Sequence, residues 1–142
     1  MTGTKKSETT HRIFLSYAHI DSQRANVLRH LLSRRRDTSV FTTNMLSAGE
    51  DWQTKLKEEI SNCDTFILLV SKDSFDSKWV LHELGAAWAM DKEIIAVVTE
   101  DTLPLNMPVE VKDLQVVKFD DLQDPEALAR ILPTKEEMAS AT

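Results

Sequence analysis

Trp79 and Glu83 are the residues whose types and spacing are best suited to chemistry in this chain. They lie four residues apart in a stretch that predicts a helix, which puts them one turn from each other on the same side. The same helix carries a predicted core-facing stripe, which consists of Leu81, Leu84, Gly85 and Trp88. The pair would then lie on the far side, where an indole can stack on a ligand and a carboxylate can stabilise positive charge. Spacing alone favours a plainer interpretation, a surface glutamate beside a tryptophan folded over the helix start.

The elements that must position this pair are strands alternating with helices. Thr65–Val70 is the most apolar run and predicts a central buried strand directly before the helix of Glu83. Further strands are predicted at 12–17, 39–43, 93–99 and 114–119. Helices are predicted from residue 21 or 22 to about 35, at 52–62, from about 77 to 90, and from 124 or 125 to about 132.

This alternation predicts an α/β protein with a flavodoxin-like, three-layer fold. Its parallel sheet would have five strands in the order 2-1-3-4-5, with helices on both faces. Ligands bind such sheets beyond the carboxyl ends of the strands, where the winding reverses between strands 1 and 3. That position corresponds to Ser16, Tyr17 and Ala18 after strand 1 and to residues 71–74 after strand 3. Because the helix of Trp79 begins there too, the ligand-site interpretation becomes as strong as the plainer one.

Composition limits the possible functions. The chain has 142 residues and a net charge of −6, which argues against nucleic acid as the main partner. The basic run 34–36 is better explained as a helix end, although a phosphate site is the alternative. Cys63 is the single cysteine and the histidines lack ligand spacing, so we expect no disulfide, no metal site and a cytoplasmic location. No membrane span is predicted. Residues 1–10 are predicted to be a disordered lead-in, and 133–142 a polar tail or linker.

Three segments, in this order and spacing, resemble the Toll/interleukin-1 receptor (TIR) domain, particularly its prokaryotic members. RIFLSYAH (12–19) is similar to the first TIR box, and NMLSAGEDW (44–52) to the loop through which TIR domains assemble. TFILLVSKDSFDSKWVLHEL (65–84) is similar to the third strand followed by S-x-W-x-x-x-E-L. The resemblance covers about 12–119. Ala48 stands where many TIR loops carry proline, which leaves loop rigidity and partner choice open.

In TIR enzymes the glutamate of W-x-x-x-E cleaves NAD+ at the nicotinamide–ribose bond, and the resemblance gives that role to Glu83. NAD+ would be the substrate, since the chain lacks a Gly-rich dinucleotide fingerprint, and no cofactor is expected. The product would be ADP-ribose or a cyclic isomer. The expected substrate-binding residues are Ser16, Tyr17, Ala18, Ser71 and Trp79.

The resemblance also implies that other TIR domains are partners, in a homo-oligomer or filament. The expected assembly loop comprises Asn44, Leu46, Gly49 and Trp52. An NAD+ glycohydrolase activated by self-assembly would suit prokaryotic immune or antiviral defence, or signalling, although a virulence role stays open. The alternative is a TIR domain without catalytic activity that serves as a protein interaction module.

Overall fold

A computed structural model describes residues 10–45, 49, 51–100, 103–104, 106–108 and 115–132. Within those ranges the strands are β1 (His11–Ser16), β2 (Thr38–Phe41), β3 (Thr65–Val70), β4 (Glu93–Val98) and β5 (Gln115–Lys118). The α-helices are α1 (Ser22–Ser33), α2 (Trp52–Asn62), α3 (Lys78–Ala89) and α4 (Pro125–Ile131). Short 3-10 turns lie at His19–Asp21, Thr43–Met45, Ser74–Asp76 and Phe119–Gln123. All of the predicted tail 133–142 and all but residue 10 of the predicted lead-in 1–10 lie outside the described residues, and both stay predictions.

The five strands form one parallel sheet in the order β2-β1-β3-β4-β5, with helices around it. This confirms the predicted flavodoxin-like arrangement. Ser16 pairs with Leu68 across β1 and β3, while β3 and β4 pair over their whole length. Since α1 follows β1 and packs on one face while α3 follows β3 and packs on the other, the winding reverses between these two strands.

Alternate residues of the strands supply two cores on opposite faces of the sheet. The α2/α3 core joins Phe14, Phe66 and Val70 to those two helices, and the rings of Phe14 and Phe66 stack at 5.4 Å. The α1/α4 core joins Leu15, Leu69 and other intervening strand residues to α1 and α4. All six side chains of β3 are therefore buried, which explains its uninterrupted apolar sequence.

Helix α3 is anchored at both of its ends. Ser77 caps its start, where the hydroxyl accepts a hydrogen bond from the backbone N–H of Val80 at 3.3 Å. Beyond its end Asp91 has φ 57°, in the left-handed region. The next residue, Lys92, donates from Nζ to the carbonyl oxygens of Ser61 and Cys63 at the end of α2, at 2.5 and 3.0 Å. Both ends of the helix that carries Glu83 are thus held by hydrogen bonds.

The buried face of α3 differs from the predicted stripe. Val80, Glu83, Leu84 and Ala87 are the buried residues of this helix. Leu81 and Trp88, which were predicted to face the core, are 40% and 58% exposed. The prediction that Glu83 lies away from the core is therefore wrong. The physical reason is a hydrogen bond from Ser16 that makes burial of this carboxyl tolerable, and hydropathy alone cannot reveal such a bond.

None of the helices among the described residues has the length and apolar character needed to cross a membrane. Over the same residues, no group of three or more His, Cys, Asp or Glu side chains is placed to hold a metal ion.

Candidate active site

Glu83 is buried at the carboxyl edge of the sheet, where only 1% of its surface is exposed. The hydroxyl of Ser16, the last residue of β1, donates to Glu83 Oε1 at 2.7 Å. By strand alternation Ser16 faces the same side as Phe14, the side covered by α3. The second oxygen, Oε2, is buried and has no hydrogen-bond partner among the described residues. The carboxyl group therefore has one hydrogen-bonded oxygen and one buried oxygen without a partner among the described residues.

Burial raises the pKa of Glu83 from an ordinary 4.5 to about 7, although the hydrogen bond from Ser16 acts in the opposite direction. Loss of hydration disfavours the charged form more than one hydroxyl donor can restore it. A carboxyl group with a pKa near neutrality can hold or release a proton under ordinary conditions. Groups perturbed in this way are found more often at active sites than elsewhere.

Two tryptophans meet beside this carboxyl group. Trp79, in the first turn of α3, is half-buried and packs against the α2/α3 core. Its ring lies 5.0 Å from that of Trp52, measured between centroids, at an interplanar angle of 53°. Trp52 begins α2 and is 43% exposed. Trp79 lies one helical turn before Glu83, so the two residues are on the same side of α3.

The remaining predicted substrate-binding residues lie on both faces of the sheet edge. Ala18 is buried in the α2/α3 core, whereas Tyr17 is half-buried and packs against the α1/α4 core. Ser71, directly after β3, is buried and donates from its hydroxyl to Asp21 Oδ2 at 2.6 Å. The structure thus brings Ser16, Trp79 and Glu83 together and holds Ser71 in a separate hydrogen-bond network.

Asp21 belongs to that network, although the sequence indicates it only as a possible start of the helix α1. Its side chain makes no capping hydrogen bond and is 95% buried, with 5% exposed, because it turns inward towards Ser71. One signal was present in the sequence: an aspartate five residues after Ser16, at the edge where the strands end. Because aspartate is common at helix starts, its position in the sequence gives no sign of its hydrogen bond to Ser71.

Part of the predicted assembly loop is described. Asn44 is exposed in the turn Thr43–Met45 and accepts a hydrogen bond from the Thr42 hydroxyl. Gly49 is exposed with φ 89°, a left-handed conformation that side chains disfavour. Leu46 and Ala48 lie outside the described residues. Trp52 is the last residue of this loop, so the carboxyl end of the loop is in contact with Trp79.

Two surface cavities lie at the opposite, amino edge of the sheet, away from Glu83. One is lined by residues including Arg12, Glu59 and Cys63, the other by residues including His11 and Glu93. Polar groups beside the second cavity already bind each other, since His11 contacts the Thr65 hydroxyl at 2.8 Å and that hydroxyl donates to Glu93 at 3.0 Å. These satisfied groups do not compete with Glu83 as a reaction centre.

Comparison with known proteins places this geometry in a family. The family model of the TIR domain matches residues 13–132. The TIR domain of the Toll-related receptor TRR-2 from Hydra magnipapillata has a similar structure, with a TM-score of 0.67 and 18% identity, over 83% of this chain and 91% of that one. A search of the curated proteins finds no match.

Two nucleoside-processing enzymes share the fold. The CMP N-glycosidase BcmB of Clostridium botulinum has a TM-score of 0.56 and 20% identity, over 85% of this chain and 99% of its own. A 2-desoxiribosyltransferase from Leishmania mexicana has a TM-score of 0.50 and 22% identity, over 63% of this chain and 65% of that one. At these identities both comparisons concern the fold alone.

Proposed function

This chain belongs to the TIR domain family, and we propose that it is an NAD+ glycohydrolase in which Glu83 is the catalytic residue. The observation that carries the proposal is the buried, half-satisfied carboxyl group of Glu83, held by Ser16 at the point where the sheet's winding reverses. A surface glutamate would be hydrated and unconstrained. The N-glycosidase from C. botulinum indicates that this fold can accommodate cleavage of a bond from ribose to a nitrogen base.

The reaction requires stabilisation of charge rather than a strong nucleophile. Nicotinamide leaves as a neutral molecule when its bond to ribose breaks, and the positive charge it carried develops on the ribose ring. The ionised carboxylate of Glu83 would oppose that charge in a poorly hydrated site, where electrostatic stabilisation is strong. Oε2 would accept a hydrogen bond from a ribose hydroxyl, which would then be the partner that Oε2 lacks among the described residues. Water then attacks to give ADP-ribose, or a second ribose hydroxyl attacks to give a cyclic product.

Access to Glu83 is the step that assembly would control. The carboxyl group is 1% exposed, so neighbouring side chains must move before a substrate can touch it. Trp52 contacts Trp79 and is the last residue of the predicted assembly loop, so contacts between that loop and another TIR domain would be transmitted to the site through the two indole rings. We propose that self-association opens the crevice. The setting we propose, from the family resemblance, is prokaryotic immune defence or signalling in the cytoplasm.

Nicotinamide release from NAD+ tests the proposal, measured by chromatography with the chain held in clusters by a tag or by crowding. Glu83→Gln keeps the shape of the side chain and an acceptor for Ser16, but removes the negative charge. We expect its rate to fall about 100-fold or more, the scale of losing one electrostatic contact to a transition state. Glu58→Gln, at an exposed position on α2, is the matched control and should retain the wild-type rate. Equal rates for Glu83→Gln and wild type would remove the catalytic assignment.

A second candidate function is a TIR interaction module without catalytic activity, which the exposed apolar side chains favour. Met45 and Trp52 belong to the predicted assembly loop and are 53% and 43% exposed, and Trp88 on α3 is 58% exposed. Apolar groups at such positions are suited to contacts between proteins. This alternative predicts that the clustered chain releases no nicotinamide, while Trp52→Ser abolishes self-association measured by light scattering.

A further inference from the structure

Asp21 occupies the start of α1 but does not act as a helix cap. An aspartate at this position ordinarily accepts hydrogen bonds from backbone N–H groups two or three residues ahead. Here the side chain makes no such bond and is almost completely buried. Its Oδ2 accepts the hydroxyl hydrogen of Ser71 at 2.6 Å, across 50 residues of sequence. Asp21 therefore binds a residue distant in sequence instead of capping its own helix.

Ser71 is the first link of a buried network that shapes the segment between β3 and α3. Its backbone N–H donates to Ser74 Oγ at 2.6 Å, and the Ser74 hydroxyl donates to the carbonyl oxygen of Leu69 at 3.1 Å. These bonds fold residues 71–74 back onto the end of β3. Helix α3 begins only four residues later, at Lys78, so the conformation of this turn fixes where the helix of Glu83 starts.

The hydrogen bonds of Asp21 and Glu83 lie on opposite faces of the sheet edge. Ser16 follows the alternation of Phe14 and points towards α3, whereas Ser71 follows that of Leu69 and points towards α1. Two hydrogen bonds therefore connect the end of β1 and the start of α1 with the segment that follows β3. One joins Ser16 to Glu83 and the other joins Ser71 to Asp21. Asp21 is on the wrong face to touch a substrate held at Glu83 and acts through Ser71.

We propose that Asp21 is a positioning residue of the NAD+-cleaving site, whose carboxyl oxygen holds Ser71 and thereby sets the position of Glu83 and Trp79. This inference rests on the proposed function. Loss of the acceptor removes the shortest hydrogen bond of the buried Ser71 hydroxyl, which then keeps only longer contacts with Ser74 Oγ at 3.3 Å and the Asp73 N–H at 3.4 Å, and it loosens the turn that leads into α3. Small displacements of a reacting group lower rates strongly, and a loosened turn admits water to Glu83.

The alternative is that Asp21 has a purely structural role. Two replacements of its carboxyl acceptor distinguish that alternative from the positioning role. Asp21→Asn keeps an oxygen for Ser71, whereas Asp21→Ala removes it. Ser71→Ala deletes the donor and tests the same bond with a smaller change, which keeps the test valid if Asp21→Ala does not fold. Asp124→Ala is the matched control, since Asp124 caps α4 with a 3.0 Å hydrogen bond from the Glu126 N–H at an exposed position.

Two measurements on the whole chain decide the question. For nicotinamide release by the clustered chain, we expect Asp21→Ala and Ser71→Ala to lower kcat about tenfold with KM changed less than about twofold, as for a misplaced reacting group. The double variant should be no slower than either single one, because both remove one bond. Asp21→Asn and Asp124→Ala should retain the wild-type kcat. For the resting chain, an NMR titration of the Glu83 side-chain carboxyl carbon should give a pKa below about 7 in Asp21→Ala and Ser71→Ala, and no change in the controls.

The two readouts keep this inference separate from the proposed function. If neither the wild type nor any variant cleaves NAD+, the enzyme assignment is overturned. The Glu83 titration would still report whether Asp21 positions that residue. An unchanged Glu83 titration in folded Asp21→Ala and Ser71→Ala, or losses of kcat that multiply in the double variant, would overturn the role of Asp21. A rate loss in Asp21→Asn equal to that in Asp21→Ala would show that charge matters, which contradicts the acceptor mechanism.

Discussion

Replacing Glu83 by glutamine should stabilise the folded chain at alkaline pH and have little effect at acid pH. Below pH 4.5 the carboxyl group is protonated in both the folded and the unfolded chain, so its burial adds no ionic cost. Between pH 4.5 and about 7 the unfolded chain loses this proton while the folded chain keeps it, so stability falls as pH rises. Above about pH 7 the full cost is present, because the folded chain then carries a buried charge.

The magnitude follows from the two pKa values. The difference between 4.5 and about 7, at about 1.4 kcal/mol for each pH unit, gives a cost of about 3 kcal/mol for ionising Glu83 in the folded chain. Glutamine is neutral throughout and retains an oxygen for the Ser16 hydroxyl. For a domain of this length, about 3 kcal/mol corresponds to a rise in Tm of roughly 10 °C.

The assay is thermal or urea unfolding of wild type and Glu83→Gln at pH 4, 6 and 8, with Glu58→Gln as the exposed control. We expect a gain near zero at pH 4, an intermediate gain at pH 6 and the full gain at pH 8. The control should show no gain that grows with pH. A difference between Glu83→Gln and wild type that is the same at all three pH values would refute the argument, because it would mean that the carboxyl group is not held in its neutral form by burial.

Three further outcomes are expected. Ser16→Ala removes the hydrogen bond that lowers the pKa of Glu83, so the pH at which nicotinamide release reaches half its maximum should move upward from about 7; a downward shift would contradict the assigned role of that bond. Asp91→Gly should raise stability by about 0.5–1 kcal/mol in urea unfolding, since glycine adopts the left-handed conformation more readily, and a loss of stability would show that the Asp91 side chain has an unrecognised partner. Burial raises the pKa of the Cys63 thiol to about 11, so at pH 8 a disulfide reagent should modify it at least about 100-fold more slowly in the folded chain than in urea, whereas comparable rates would mean that the end of α2 opens readily.

The sheet was predictable because its signals are local and strong. Strand β3 has the bounds expected from its apolar run, and the alternation of strands and helices was sufficient to give the strand order. The start of α4 was also predictable, since Pro125 is its first residue. These features depend on residues that are close together in sequence or on a regular alternation of apolar and polar segments.

The site was less predictable because its decisive contacts are between residues distant in sequence. Periodicity assigned Leu81 and Trp88 to the core and Glu83 to the outside, since a hydropathy pattern treats a carboxyl group as polar wherever it lies. The donor that allows Glu83 to be buried is 67 residues away, at the end of another strand. Asp21 presents the same difficulty, because its cap position is visible locally and its true partner lies 50 residues away. Residue type, helical spacing and the family resemblance all directed attention to Glu83, and its catalytic role stays a proposal.

The environment of Glu83 is costly for the fold, and that cost bears on the function. Glutamine would keep the Ser16 contact and would also leave one buried polar atom unpaired, but it carries no charge at any pH, so at neutral pH it avoids the cost of ionising a buried group. A residue that weakens the fold is understandable where the group is needed for chemistry. If Glu83→Gln gains stability and loses NAD+ cleavage together, the glutamate serves catalysis at the expense of the fold. If the variant loses stability instead, Glu83 is a structural residue, and the enzyme proposal loses its main support.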